Sequence, residues 1–139
     1  MSERSWVTTL TAANGPAGYL STYGGATDNY SFAWGTAIAF TLLGIWGDSS
    51  LPNIPASISN WLDFLRNGYL DAVSPDGSID ESYGYANYGF LYALQAIIAG
   101  ANCGFGDRAD GTNILRTPRW YAYSLMGNAF PWSGDCGPT

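Results

Sequence analysis

Two long stretches of the chain carry no charged residue, and they limit the folds that the sequence can adopt. Residues 31–47 and 83–106 contain no Asp, Glu, Lys or Arg. Apolar side chains surround the helices predicted in both stretches, so neither helix has a polar side to turn toward water. We expect both helices to be covered on all sides by protein. A membrane is the less favoured alternative, because residues 31–47 are slightly short for a span and no basic flank sets a topology.

Four main helices are predicted from the spacing of apolar residues and from helix-breaking residues. The predicted ranges are 29–46, 56–72, 84–101 and 118–126. The second helix has one apolar and one polar side and is expected to lie on the outside. Asp28 is predicted to cap the first helix, and Thr117 the fourth, with Pro118 in its first turn and Gly127 after its end. Residues 74–77 are predicted to form a turn.

The predicted fold class is all-α, and the chain 1–139 is expected to form a single helical domain. Residues 1–27 are rich in Thr, Ser, Gly and Ala and are predicted to form loop or short helical turns, and residues 128–139 are predicted to be an extended tail. The first ten residues lack the basic segment and apolar core of a signal peptide.

Composition excludes several classes of function. The chain has five Arg, no Lys and no His, and its net charge is -6. A nucleic-acid partner is therefore not expected, because phosphate neutralisation needs basic residues. Without histidine there is no Ser-His-Asp or Cys-His arrangement, and neither a metal nor another cofactor is predicted. Cys103 and Cys136 form either a disulfide or two buried thiols, and the sequence leaves both open.

The segment 75–89, with the sequence PDGSIDESYGYANYG, carries the strongest functional signal. Glu81, Tyr85 and Tyr88 are spaced at i, i+4 and i+7, which places them on one face if the helix has begun at Glu81. Aromatic rings suit the flat faces of sugars, carboxylates accept hydrogen bonds from hydroxyls, and a phenol can transfer a proton. The pattern is typical of a carbohydrate-binding cleft.

This segment resembles the helical toroid domain of heparinase II/III-type polysaccharide lyases, which often contains a stretch similar to D-G-S-x-x-E-G-x-x-Y-W-x-Y-G. The matching residues are Asp76, Gly77, Ser78, Glu81, Tyr85, Tyr88 and Gly89. The chain departs from the pattern at Ser82 and Ala86. Two weaker matches flank the segment in the same order as in the family. Asp28-Asn29-Tyr30 opens an apolar helix, and residues 120–137 resemble a later stretch that ends in an aromatic turn.

The resemblance implies a β-elimination reaction on a polysaccharide that contains uronate. It assigns Tyr85 as the catalytic acid or base and Glu81 as a residue that orients it or the substrate; packing and helix-start roles are the alternatives for both. It also implies polysaccharide as the partner, and a periplasmic or secreted location. The residues that it assigns to substrate binding are Asn29, Tyr30, Trp34, Asn87, Tyr88, Arg119, Trp132 and Asp135.

The chain lacks parts that the family uses. The family's histidines have no counterpart, so we expect weak lyase activity or none from this chain alone. The predicted helices also make too few hairpins to close a ring, which favours an incomplete α/α toroid. Uncovered apolar faces would then lead either to a homo-oligomer or to a closed bundle. The alternative function is a non-catalytic helical module for carbohydrate binding or self-assembly.

Overall fold

The computed structural model describes residues 29–48, 53–79 and 83–124; the side chains of 29–31, 83–90 and 124 fall outside the description. Every regular element in these ranges is helical, so the all-α prediction is confirmed. The four main helices are α1 (Asn29–Ile45), α2 (Ile54–Leu65), α3 (Tyr83–Asn102) and α4 (Thr117–Ser124). A π-helical segment, Arg66–Leu70, extends α2, and a 3-10 helix, Ile114–Arg116, leads into α4.

The helix ends lie within one or two residues of the prediction, except that α2 ends at Leu65 and continues only as a π-helical segment to Leu70, where the prediction has a helix to residue 72. α2 begins two residues earlier than expected, because Asn53 adopts a left-handed conformation (φ 66°) and Pro55 fits the first turn. Thr117 is not a cap, which corrects the prediction: its backbone is already helical, and its buried hydroxyl has no hydrogen-bond partner. The predicted cap Asp28 and the predicted stop Gly127 lie outside the described residues.

α1 and α2 form an antiparallel hairpin. The ring of Phe32, in the first turns of α1, lies 4.8 Å from the ring of Tyr69 in the π-helical segment that follows α2. The two helices approach closely at Gly35, where an added Cβ would lie 2.9 Å from the Phe64 ring and 3.1 Å from Leu65. A side chain larger than hydrogen at Gly35 would therefore force the helices apart.

α3 runs parallel to α1 and ends at the same level. Trp46, one residue past the end of α1, packs edge-to-face on Phe105, which follows the end of α3, with ring centroids 5.1 Å apart. The turn that ends α3 is a Schellman motif. In it the Phe105 N–H bonds to the Gly100 carbonyl, the Gly104 N–H bonds to the Ala101 carbonyl, and Gly104 has a φ of +87°. The three helices therefore form an up-down-up bundle in which α1 packs on both α2 and α3.

The core lies between these three helices and under the segments that follow them. Its fully buried side chains are mainly branched aliphatic residues, namely Leu42, Ile54, Ile58, Leu62, Leu65, Leu70, Val73, Ile97 and Ile114. Burial of each of these stabilises the fold by roughly 1.5–3 kcal/mol relative to an exposed position.

The expected coverage of α1 and α3 on all sides is wrong for the described residues. Trp34 and Phe40 of α1 are 58% and 41% exposed, and Leu91 and Ile98 of α3 are 45% and 50% exposed. One side of each uncharged helix is therefore open, because α2 and the adjoining segments cover only the other sides.

The helix predicted to lie outside, α2, is instead the best covered. α1 and α3 both pack on it, and the segment 103–113 returns along its polar side. There Arg108 bonds to Asp63 and Ser59 of α2. Asp63 and Ser59 of α2 are thus partners for a returning chain segment. The arrangement of hairpins in a toroid and the single domain over 1–139 stay predictions.

Candidate functional site

The candidate site lies at the N-terminal end of the bundle, where α1 and α3 begin. The two helices end at the same level, and α3 has 20 residues against 17 in α1. At 1.5 Å per residue, the start of α1 is therefore about level with residue 86 of α3. The backbone thus brings Asn29 and Tyr30 to the same end as Tyr85, Asn87 and Tyr88. The side chains of these five residues are outside the description.

A tight turn precedes α3 at this end of the bundle. The Gly77 N–H bonds to the Ser74 carbonyl at 2.8 Å, and the Ser74 N–H bonds to the Ser78 carbonyl at 2.9 Å. Gly77 takes a positive φ of 92°. These features define a type I turn followed by a left-handed glycine, which confirms the turn predicted for residues 74–77.

Asp76 stabilises the turn through its carboxylate. Its Oδ1 accepts a hydrogen bond from the Ser78 N–H at 2.9 Å. This bond, together with one from the Ser78 side chain, lowers the pKa of Asp76 below its ordinary value of 3.8, since both favour the charged form. Asp76 is thus engaged by the turn, as is typical of an Asp-Gly turn.

The 3-10 helix and its preceding residue hold this turn in place. The Arg116 Nη1 donates a hydrogen bond to the Pro75 carbonyl, and the Asn113 amide donates one to the Val73 carbonyl at 3.1 Å. Gly77 lies so close to Arg116 that an added Cβ would be 2.5 Å from its carbonyl group. The start of α4 is therefore fixed beside the segment that resembles the lyases.

Arg119 and Tyr123 form an exposed pair on α4. The guanidinium donates from Nη2 and Nε to the Tyr123 hydroxyl, at 3.1 and 3.3 Å. Its central carbon lies over the Tyr123 ring, 5.3 Å from the ring centroid, in a cation–π contact. Tyr123 is 75% exposed. The pair presents a planar ring and a positive charge side by side.

The other predicted site residues divide into two groups. Trp34 is described and lies exposed on the outer side of α1. Glu81, Trp132 and Asp135 lie outside the described residues, and so does Cys136, while Cys103 lies half-buried just after α3.

Sequence reasoning missed two side chains that shape this end of the bundle. Tyr123 was not singled out, although its i+4 spacing from Arg119 on a helix is a readable signal. Arg116 is the second of these side chains. Its bond to Pro75 spans 41 positions, and no local pattern reveals such a contact.

Neither a metal-ion cluster nor a membrane-spanning helix is present in residues 29–48, 53–79 and 83–124. No group of three or more His, Cys, Asp or Glu residues that could hold a metal ion is found there. None of the helices seen there is both long enough and apolar enough to cross a membrane.

Comparisons with known proteins give no relative: no family model, no curated protein and no solved structure matches the chain. The lyase resemblance therefore still rests on the motif residues alone.

Proposed function

We propose that the protein binds uronate-containing carbohydrate chains at the N-terminal end of the bundle and has little or no lyase activity of its own. The observation that carries this proposal is the hydrogen bond from Arg116 to Pro75. It holds the only closely spaced arginines of the sequence, Arg116 and Arg119, beside the turn that opens the lyase-like segment.

Local positive charge is what an acidic protein needs to bind an acidic polymer. The net charge of -6 repels a polyuronate at long range, and a binding site must therefore concentrate its cations. Arg119 offers N–H groups that can bond a carboxylate as well as Tyr123. The Tyr123 ring, which is 75% exposed, can stack on a sugar ring.

Binding is favoured over turnover because the chain has no histidine. Elimination requires a base for the C5 proton and stabilisation of the charge that develops on the carboxylate, and a lost contributor typically costs about 100-fold or more. Tyr85 is the remaining candidate for proton transfer. Its ordinary pKa of about 10 would have to be lowered for this role.

Calorimetric titration with a uronate oligosaccharide and with a neutral oligosaccharide of equal length tests the proposal. We expect binding of the uronate ligand only, weakening with added salt as exposed charges are screened. Arg119→Ala should weaken it by about tenfold to 100-fold, since a hydrogen bond to a charged group contributes about 1.5–3 kcal/mol. Tyr123→Ala should weaken it because the stacking ring is removed. Tyr85→Ala and Tyr88→Ala should also weaken it.

Two matched controls separate local from general effects. Arg66→Gln removes the same charge from another element, and Leu115→Ala removes a side chain that is 86% exposed and cannot bond to a sugar. Both should bind like the wild type. Equal affinity for the neutral oligosaccharide, or equal losses in the controls, would contradict the proposed site.

An ultraviolet assay for unsaturated uronate tests the expected lack of turnover. Efficient release of this product by the purified chain would show that catalysis survives without histidine. In that case Tyr85→Phe, which keeps the ring and removes the phenol, would test whether Tyr85 carries the proton.

A self-assembly module is the second candidate function. It is favoured by the open, uncharged side of α1, where Trp34 and Phe40 are exposed.

A further inference from the structure

The outer side of α1 carries a continuous apolar stripe. Its described members are Trp34, Ala37, Phe40, Thr41 and Gly44, all of which are exposed. With 3.6 residues per turn they fall within about one third of the helix circumference. We call these five residues the α1 stripe. It contains no charged side chain, although the whole protein has a net charge of -6.

The single hydroxyl of the α1 stripe is already satisfied. The Thr41 Oγ1 donates to the Ala37 carbonyl of the same helix at 2.8 Å. This bond uses the polar group of Thr41 within the helix. The stripe can therefore be covered by an apolar surface without leaving this donor unsatisfied.

Three glycines of α1 and α3 have described surroundings, and Gly44 is the one at which no contact within a single copy requires a glycine. Gly35 and Gly100 lie where α2 approaches too closely for a side chain, whereas an added Cβ at Gly44 would meet no atom within 4 Å. A glycine inside a helix costs about 1 kcal/mol relative to alanine. Gly44 leaves an open notch on the stripe, ten residues or about 15 Å from the projecting Trp34.

We propose that the α1 stripe is the contact surface for a second copy of this chain, related by a two-fold axis that passes the helix at the level of residue 39. In an antiparallel pair about this axis, Trp34 of each copy fills the notch at Gly44 of the other. Ala37 faces Thr41 in the same way. The stripe is thus self-complementary, as an interface with two-fold symmetry must be, and this proposal does not depend on carbohydrate binding.

The size of the α1 stripe predicts a weak dimer. The α1 stripe is about 15 Å long and 10 Å wide, and this area is well below the roughly 800 Å² that each partner of a standard interface buries. Two acidic molecules also repel each other, and salt screens this repulsion. We therefore expect association at high protein concentration, strengthened by added salt.

Sedimentation equilibrium on the full chain tests the proposal with two variants and their mixture. Trp34→Ala removes the projecting ring, and Gly44→Trp fills the notch, so each variant alone should dimerise at least tenfold more weakly than the wild type. In the equimolar mixture, the Gly44→Trp chain has tryptophan rings at positions 34 and 44, and the Trp34→Ala chain has no ring at either position. One copy of each variant can thus form both contacts. The mixture should therefore regain association toward the wild-type level.

Recovery of association in the mixture would show that a second copy of the chain, and not another segment, covers the α1 stripe. If residues 1–28 or 125–139 of the same chain covered it, all samples would remain monomers and the proposal would be wrong. It would also be overturned if the single variants associate like the wild type, or if the mixture is no heavier than its components. Circular dichroism checks the folding of each variant, and Gly44→Ala serves as a milder substitution if Gly44→Trp fails to fold.

Discussion

Arg108 and Asp63 lie 45 positions apart in the chain and form an ion pair with 3.1 Å between Nε and Oδ1. The same guanidinium donates to the Ser59 hydroxyl at 2.7 Å. The Arg108 side chain is 17% exposed and that of Asp63 is 50% exposed, so solvent screens this contact mainly from the Asp63 side. It fixes the segment 103–113 to the polar side of α2.

Arg108→Ala is expected to destabilise the protein by about 1–3 kcal/mol, because two hydrogen bonds to a charged group are lost. Urea unfolding followed by circular dichroism measures the change. Asp63→Ala and the double variant complete a mutant cycle. If the two single effects simply add in the double variant, Arg108 and Asp63 do not stabilise the fold through each other.

Gly77→Ala is expected to destabilise the protein by at least about 3 kcal/mol. The left-handed conformation costs an alanine about 1–2 kcal/mol, and the added Cβ would lie 2.5 Å from the Arg116 carbonyl, where backbone rather than a mobile side chain blocks it. Gly111→Ala is the matched control, because Gly111 has a φ of +74° and no atom within 4 Å of the added Cβ. Equal losses of stability for the two variants would mean that close contact between Gly77 and the 3-10 helix does not contribute to the cost.

The turn at residues 74–78 could be predicted because its signals are local. Pro, Asp and Gly each favour one position of a type I turn, and no distant contact is needed to place them. The helices could be predicted for the same reason, to within two residues in most cases. The coverage of α2 could not be predicted, because it depends on a contact between Arg108 and Asp63. The spacing of residues along one helix carries no information on such a contact.

The residue types of the candidate site could be predicted from the sequence, but the positions of these residues relative to one another could not. The spacing of Tyr85 and Tyr88 indicates a shared helix face, whereas their level relative to Asn29 depends on the parallel course of α1 and α3. That course follows from tertiary contacts such as the one between Trp46 and Phe105.

Gly100→Ala is expected to destabilise the protein, although alanine is the better helix former. The added Cβ would overlap Leu62 Cδ1 and lie 3.1 Å from its Cδ2, and Leu62 is fully buried, so it cannot turn away. We expect a loss of about 1–3 kcal/mol, typical of overpacking. Thermal unfolding at low protein concentration measures it.

Two comparisons sharpen this prediction. Gly44→Ala, in open space, should instead stabilise the monomer by about 0.5–1 kcal/mol. In a Leu62→Ala background, Gly100→Ala should cost far less, because the overlapping methyl groups are gone. A similar loss in both backgrounds would contradict close packing of α3 on α2 at this point.

The stability of the turn should depend on pH through Asp76. Its folded pKa is lowered below 3.8, so its contribution is fully present above that value and is lost as the pH falls through the lower folded pKa. Asp76→Ala should therefore be less stable than the wild type at neutral pH, with the difference shrinking in acid. Asp76→Asn keeps an acceptor for the Ser78 N–H but does not titrate. Urea unfolding at several pH values measures the difference in free energy of unfolding between each variant and the wild type, and this difference should depend on pH for both variants. A difference that stays constant down to acid pH would exclude this role.

The coverage of α2 on three sides has a consequence for local opening of the protein. Amide protons exchange with solvent through local unfolding, and the slowest exchange reports the elements that open only with the whole fold. α2 carries seven buried residues along twelve positions, and α1, α3 and the segment 103–113 all pack on it. In α4, by contrast, Thr117 is the only buried residue among the described side chains. Hydrogen exchange should therefore be slowest at α2 and fastest at α4, so Arg119 lies on the helix that can open while the bundle stays folded.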